Sequence, residues 1–218
     1  MQRTLRLDVT NNVDYSLYLI TDDGSPHSVI SQVRSAIAGG ASLIQYRAKN
    51  KDSAELYAEA SQIAEIVHKA KKHLIINDRI DIALAVGADG VHLGPEDLPV
   101  SVARRIMGAT AIIGASVSNV ESAIEAELEG ANYLGVGAVY DTMTKLDAGA
   151  GIGVEVITDI KSAVSIPVVG IGGIKLNNVA EVIASGADGA AVISAITREK
   201  NITSAVKDFL LAIRQAKG

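Results

Sequence analysis

The chain has 218 residues, of which 48% are hydrophobic and 21% charged, so it can bury a sizeable core and shows no sign of extended disorder. Its net charge of −5 disfavours nonspecific nucleic-acid binding and leaves any anion site to local placement of Arg and Lys. With no cysteine at all, disulfides, thiolate zinc sites and cysteine nucleophiles are excluded.

Residues 1–14 read as an N-terminal extension. Met1 to Asn12 carries Arg3 and Arg6 but lacks the apolar core of a secretion signal. No apolar stretch reaches the roughly 18 residues that a membrane span requires, so a cytoplasmic location without a membrane partner is expected. From Leu17 onward, short apolar runs alternate with segments of helical periodicity, which is the pattern of βα units around a parallel sheet. Strands are predicted at Leu17 to Thr21, Leu43 to Arg47, Leu74 to Asn77, Gly90 to Leu93, Ala111 to Ser116, Tyr133 to Val136, Pro167 to Ile171 and Gly189 to Ile193. The helices between and after them are predicted near Ser28 to Ala38, Ser53 to Lys71, Arg79 to Val86, Val100 to Met107, Val120 to Glu129, Val154 to Val164, Leu176 to Ala184 and Ile202 to Ala216.

Eight such units in a chain of this length predict one (β/α)8 barrel, a TIM barrel, forming a single domain over residues 1–218. Gly40-Ala41-Ser42, Gly87-Ala88-Asp89, Gly130-Ala131-Asn132 and Gly186-Ala187-Asp188 each end a helix and launch an apolar strand. Two βα units separate successive copies, as a quarter-barrel repeat would give, and the glycine supplies a left-handed helix cap. An open doubly wound sheet would use the same loops. Aromatic residues make up only 3% of the chain, so aliphatic packing is expected to dominate.

In a barrel the reactive residues are expected just after each strand. After strand two, alternation puts Gln45, Arg47 and Lys49 on one side with Leu43. Cations directed at a barrel axis are costly to desolvate unless an anion meets them, which points to a phosphate or diphosphate ligand. A solvated strand end would show the same residues. Strand three ends in Asn77-Asp78 and strand four is followed by Glu96-Asp97, placing carboxylates on adjacent strand ends. Mg²⁺ commonly takes one or two carboxylates plus substrate phosphates, which suits Asp78 and Asp97 facing Arg47 and Lys49. Taken singly, either acid would also suit a helix N-terminus.

His92 reads as a structural, hydrogen-bonded histidine. Ser116, with no base signature near it in sequence, reads as a hydrogen-bond donor rather than a nucleophile. After strand six, Tyr140 to Lys145 and the following Gly149, Gly151 and Gly153 form the longest irregular stretch, suited to closing over an anion or to being a flexible surface loop. Strands seven and eight end in Gly172-Gly173 and Ile193-Ser194, where barrels place a phosphate against backbone N–H groups.

These motifs resemble the thiamine-phosphate synthase family from Tyr18 to Ile196. That family carries Gln-x-Arg-x-Lys after its second strand, matched by Gln45, Arg47 and Lys49, and Asn-Asp after its third, matched by Asn77 and Asp78. Its His-x-Gly segment with a Glu-Asp pair is similar to His92, Gly94, Glu96 and Asp97. Its strand-five serine, its Thr-x-Thr-Lys loop and its terminal motifs correspond to Ser116, to Thr142, Thr144 and Lys145, and to Gly172-Gly173 and Ile193-Ser194.

The resemblance implies a transferase that joins a hydroxymethylpyrimidine diphosphate to a thiazole phosphate, releasing diphosphate. It implies Mg²⁺ on Asp78 and Asp97, and catalytic work by Arg47, Lys49, Ser116 and Lys145. Gln45 and Asn77 would contact the pyrimidine, and Ser116 would hold that substrate or its leaving group. Arg47, Lys49 and Lys145 would hold the diphosphate. Thr142, Thr144, Gly173, Ile193 and Ser194 would hold the thiazole phosphate, while Tyr46, Ala48, Met143 and Gly172 belong to the same substrate-binding segments. The chain departs from the family at Ala138 and Asp141, where proline is usual, which weakens the match at the strand-six loop. Two alternatives share the barrel: a thiazole tautomerase-like isomerase and a noncatalytic thiazole-phosphate-binding regulator. The intact Arg47, Lys49, Asp78 and Asp97 set argues against the isomerase. Small phosphorylated molecules are thus the expected partners, and a homo-oligomer is left open.

Overall fold

A computed structural model describes residues 13–142 and 151–218. Eight parallel strands close in sequence order, β1 pairing with β2 on one side and with β8 on the other. In chain order the elements are β1 (Leu17–Ile20), α1 (Val29–Gly39), β2 (Leu43–Tyr46), α2 (Ser53–Lys69), β3 (His73–Asn77), α3 (Ile80–Val86), β4 (Gly90–Leu93) and α4 (Val100–Met107). The second half comprises β5 (Ile112–Val117), α5 (Val120–Glu129), β6 (Tyr133–Val136), α6 (Glu155–Ala163), β7 (Val168–Ile171), α7 (Val179–Ala184), β8 (Gly189–Val192), α8 (Ser194–Thr197) and α9 (Ile202–Lys217).

The four Gly-Ala repeats have a common physical role. Gly40, Gly87, Gly130 and Gly186 all have positive φ, and each stops a helix where a side chain would strain the backbone. Two residues on, a polar side chain reaches back to the neighbouring strand. Ser42 Oγ accepts from Leu17 N at 3.0 Å, Asp89 Oδ2 from Leu74 N at 2.8 Å, Asn132 Oδ1 from Ile113 N at 2.7 Å, and Asp188 Oδ2 from Val168 N at 2.7 Å. Each also donates its own backbone N–H to the carbonyl of that same residue. The motif therefore stitches β2 to β1, β4 to β3, β6 to β5 and β8 to β7, satisfying a strand-end donor that would otherwise go unpaired. Cations and imidazoles brace the acceptors: Lys161 meets Asp188 at 2.6 Å, Arg104 meets Asn132 at 2.5 Å, and His68 and His73 flank Asp89.

Strand alternation separates two apolar layers. Leu17, Leu19, Ile44, Leu74, Ile76, Val91, Ile113, Leu134 and Val168 face the helices in the larger core. Tyr18, Ile20, Leu43, Ile75, Ile112, Tyr133, Val169 and Ala191 fill the barrel interior, with Tyr15 closing its lower end. Aliphatic side chains dominate the outer layer, but three of the six tyrosines occupy the interior, which composition alone could not reveal.

Boundaries differ from expectation at a few places. α7 begins at Val179 rather than near Leu176, because Asn178 closes a turn by accepting from Lys175 N at 2.7 Å and donating to Gly173 O at 3.2 Å. The short helix α8 was not anticipated, its four residues being too few to show a period. α2 stops two residues early, before Lys71 takes a positive φ of 55°.

Candidate active site

The C-terminal strand ends surround a cavity of about 1520 Å³. Arg47, Lys49, Asn77, Asp78, Asp97, Ser116, Thr142, Gly172, Gly173, Ile193 and Ser194 line it together, from seven strand ends separated widely in sequence.

The β2 exit is pinned through Thr21, whose Oγ1 accepts from Arg47 N at 2.9 Å and donates to Arg47 O at 3.3 Å. This holds the Arg47 backbone at the rim. Its Nε is buried without a hydrogen-bond partner among the described residues. A buried donor of this kind carries a desolvation cost until an acceptor arrives, and a phosphate oxygen is a suitable one.

Asp78 leaves β3 with φ of 61°, and its N–H donates to His92 O at 2.9 Å. That left-handed turn, tolerated by Asp better than by most residues, brings its carboxyl to Asp97. Asp97 is itself oriented by Gly94, whose N–H donates to Oδ2 at 2.7 Å. Burial, followed by hydrogen bonding and repulsion from Asp97, pushes the Asp78 carboxyl up to about 6, while Lys49 and Arg47 pull the other way. A carboxyl pair that must share a proton suits a hard divalent cation, which would replace the proton with charge. Among the described residues no group of three or more His, Cys, Asp or Glu could hold a metal unaided. Two aspartates would therefore need substrate oxygens and water to complete a Mg²⁺ shell.

On the opposite rim, Gly172 and Gly173 have φ of 94° and 64°. A Cβ at Gly172 would lie 2.5 Å from Ala138 Cβ, and one at Gly173 would lie 2.7 Å from Tyr140 Cβ, so the two turns pack backbone to backbone. Val139 N and Tyr140 N donate to Ile171 O and Gly172 O at 2.8 and 3.1 Å. The returning chain then donates from Ile152 N to Ala138 O at 2.8 Å and from Gly153 N to Val139 O at 3.0 Å. Asp141 joins the two arms of this loop, its Oδ1 accepting from Gly151 N at 2.8 Å. The extra carboxylate thus has a partner within its own loop. Met143, Thr144 and Lys145 lie outside the described residues.

Three expected contacts sit elsewhere. Tyr46 faces outward and donates from its hydroxyl to Glu59 Oε2 at 2.6 Å on α2, because alternation turns it away from Gln45. Ala48 packs against the outer core. Gln45 does point inward, but it is 1% exposed and lies one layer below the mouth, donating to Tyr18 Oη at 2.7 Å.

Ser116 has a partner that the sequence reading did not identify. His92 Nε2 lies 2.9 Å from its Oγ, a partner 24 positions away that adjacency in sequence could not show. The expectation that His92 is hydrogen-bonded holds, with Nδ1 2.9 Å from Tyr133 Oη. Lys175 and Lys200 also line the cavity. Lys175 follows strand seven as Lys49 follows strand two, so its strand-end position was the available signal, whereas Lys200 lies beyond α8.

The thiamine monophosphate synthase family model matches residues 17–196. The chain is 43% identical over 216 residues to thiamine-phosphate synthase of Methanosarcina mazei, covering 99% of this chain and 89% of that one. It is 48% identical over 201 residues to thiamine-phosphate synthase of Methanospirillum hungatei, covering 90% of this chain and 97% of that one. The solved thiamine phosphate pyrophosphorylase of Pyrococcus furiosus superposes with a TM-score of 0.87 at 41% identity, covering 94% of this chain and 98% of that one. A family model matched over residues 17–196, relatives more than 40% identical over nearly the whole chain, and a solved structure that superposes along it lead to one conclusion: the chain belongs to the thiamine-phosphate synthase family.

Proposed function

We propose that this enzyme joins a hydroxymethylpyrimidine diphosphate to a thiazole phosphate, giving thiamine phosphate and free diphosphate. The observation that carries the reading is that one mouth has two differently lined sides, each suited to a phosphate. Arg47, with a buried unpartnered Nε, stands with Lys49 beside the Asp78–Asp97 pair. The Gly172-Gly173 turns and Ser194 line the other side.

In this reading Arg47 and Lys49 hold the diphosphate, with Lys145 added on the strength of its motif. Asp78 and Asp97 hold Mg²⁺, which when bound supplies electrostatic stabilisation of the departing oxygens. Asn77 and Ser116 contact the pyrimidine substrate, and Gly173, Ile193, Ser194 and Thr142 hold the thiazole phosphate. The carbon–oxygen bond to the diphosphate breaks and its electron pair stays on the leaving oxygen. The thiazole nitrogen then forms the new carbon–nitrogen bond with its own lone pair, so no general base is required. As negative charge grows on the diphosphate, Arg47 and Lys49 stabilise it from fixed positions without reorganising. The cavity keeps the two substrates in one orientation, replacing a bimolecular encounter with an intramolecular one.

Substrates of this kind suit a cytoplasmic enzyme, and no helix among the described residues is long and apolar enough to cross a membrane. The test is direct: both substrates and Mg²⁺ are mixed with the protein, and thiamine phosphate and diphosphate are measured. Product that forms in equal amounts and only with Mg²⁺ supports the reading. Binding of thiazole phosphate without product overturns it in favour of a noncatalytic barrel.

A further inference from the structure

Below the mouth, five side chains from five strands form one hydrogen-bonded line across the barrel interior. Gln45 Nε2 donates to Tyr18 Oη at 2.7 Å, Tyr18 Oη meets Tyr133 Oη at 2.8 Å, Tyr133 Oη meets His92 Nδ1 at 2.9 Å, and His92 Nε2 meets Ser116 Oγ at 2.9 Å. Gln45, Tyr18, Tyr133 and His92 are all buried, and the line reaches the mouth cavity at its His92–Ser116 end.

The interior makes room for this line by omitting side chains. A Cβ on Gly114 would lie 2.1 Å from Tyr133 Cζ and 2.5 Å from His92 Nδ1, and one on Gly135 would lie 3.0 Å from His92 Cε1. Both glycines occupy inward positions of their strands, so a larger residue at Gly114 would separate Tyr133 from His92.

Burial raises the Tyr18 and Tyr133 hydroxyls well above their ordinary range, so both stay protonated and each has one proton to give. Tyr18 accepts from Gln45, which leaves its proton for Tyr133. Tyr133 in turn gives its proton to His92 Nδ1. A neutral imidazole that accepts at Nδ1 carries its proton at Nε2. That proton goes to Ser116 Oγ, and the serine's own proton is left for the mouth.

We propose that this line is a one-way donor relay: it fixes His92 as the Nε2–H tautomer and makes Ser116 a hydrogen-bond donor to the ligand above it. Tyr18, Tyr133 and His92 are then positioning residues for Ser116. A Ser–His pair that in a hydrolase would activate the hydroxyl is polarised in the opposite sense here. The role of Ser116 toward substrate rests on the proposed function, but the direction of the relay does not.

Two measurements test this. In the ligand-free protein, ¹⁵N spectra of the four histidines, with His92 identified by loss of its signals in His92→Asn, should show Nδ1 unprotonated and Nε2 protonated. A protonated Nδ1 overturns the relay whatever the enzyme's activity. Kinetically, Tyr133→Phe should lower turnover on the order of 10-fold with unchanged KM for thiazole phosphate, and should add less than about twofold in a Ser116→Ala background. Fully additive losses would mean Tyr133 acts on structure alone and would also overturn the proposal. If Tyr133→Phe does not fold, the tautomer in the unmodified protein still decides.

Discussion

Asp78→Asn should separate stability from activity. In the metal-free protein the Asp78 carboxyl titrates near 6 rather than at its ordinary 3.8, because burial and Asp97 oppose its charge. A difference of that size corresponds to about 3 kcal/mol, and because the carboxyl is only half-buried, solvent screening reduces this to about 1–2 kcal/mol. For an acid raised in the folded state, the associated stability is fully present below pH 3.8 and is lost as pH rises through about 6. Asparagine carries no charge at any of these pH values and tolerates the left-handed φ of 61° at this position. Relative to the unmodified protein it should therefore be near-neutral at pH 4 and more stable by about 1–2 kcal/mol at pH 8, a Tm rise of roughly 2–8 °C. Thermal melts with EDTA at the two pH values provide the assay. Turnover with Mg²⁺ should fall on the order of 100-fold, so the variant gains stability where it loses function. If Asp78→Asn shows the same stability difference at pH 4 and pH 8, the account of the carboxyl pair is wrong.

Asp97→Ala should also depress turnover by about 100-fold or more while leaving thiazole-phosphate affinity unchanged. Near-normal turnover with unaltered Mg²⁺ dependence would shift attention to Glu96. Gly173→Val places a branched Cβ where one already meets Tyr140 Cβ at 2.7 Å and Asp141 O at 2.8 Å, and calorimetry should show weaker thiazole-phosphate binding with little change for diphosphate. Equal loss of both would mean the two sides are misassigned. Asp188→Ala removes the acceptor that Val168 N and Lys161 share, and urea unfolding should register a loss of about 1–3 kcal/mol. Tyr46→Phe should cost about 1 kcal/mol through the lost Glu59 bond and leave kcat within twofold, since the ring faces α2 and not the mouth.

The sequence by itself determined the barrel and most of its rim. Apolar runs alternating with helical segments specify βα units because the two periods, near 2 and near 3.6, are local properties of the chain. The Gly-Ala-polar repeat was legible for the same reason, although its purpose, closing the strand pairs through Ser42, Asp89, Asn132 and Asp188, needed the partner strands in view. Strand-end position placed Arg47, Lys49, Asp78, Asp97, Gly173 and Ser194 at one mouth before any contact was known. Alternation put Gln45 on the inward side and Tyr46 on the outward one, which the motif read as a whole obscured, but it did not show how deep Gln45 lies. What only the tertiary structure decided are meetings between strands far apart in the chain, above all Tyr18, Tyr133, His92 and Ser116 in one line. The physical reason is closure. A local pattern fixes which way a side chain points, whereas barrel diameter and strand stagger, set by all eight strands at once, fix which inward side chains come within hydrogen-bond reach.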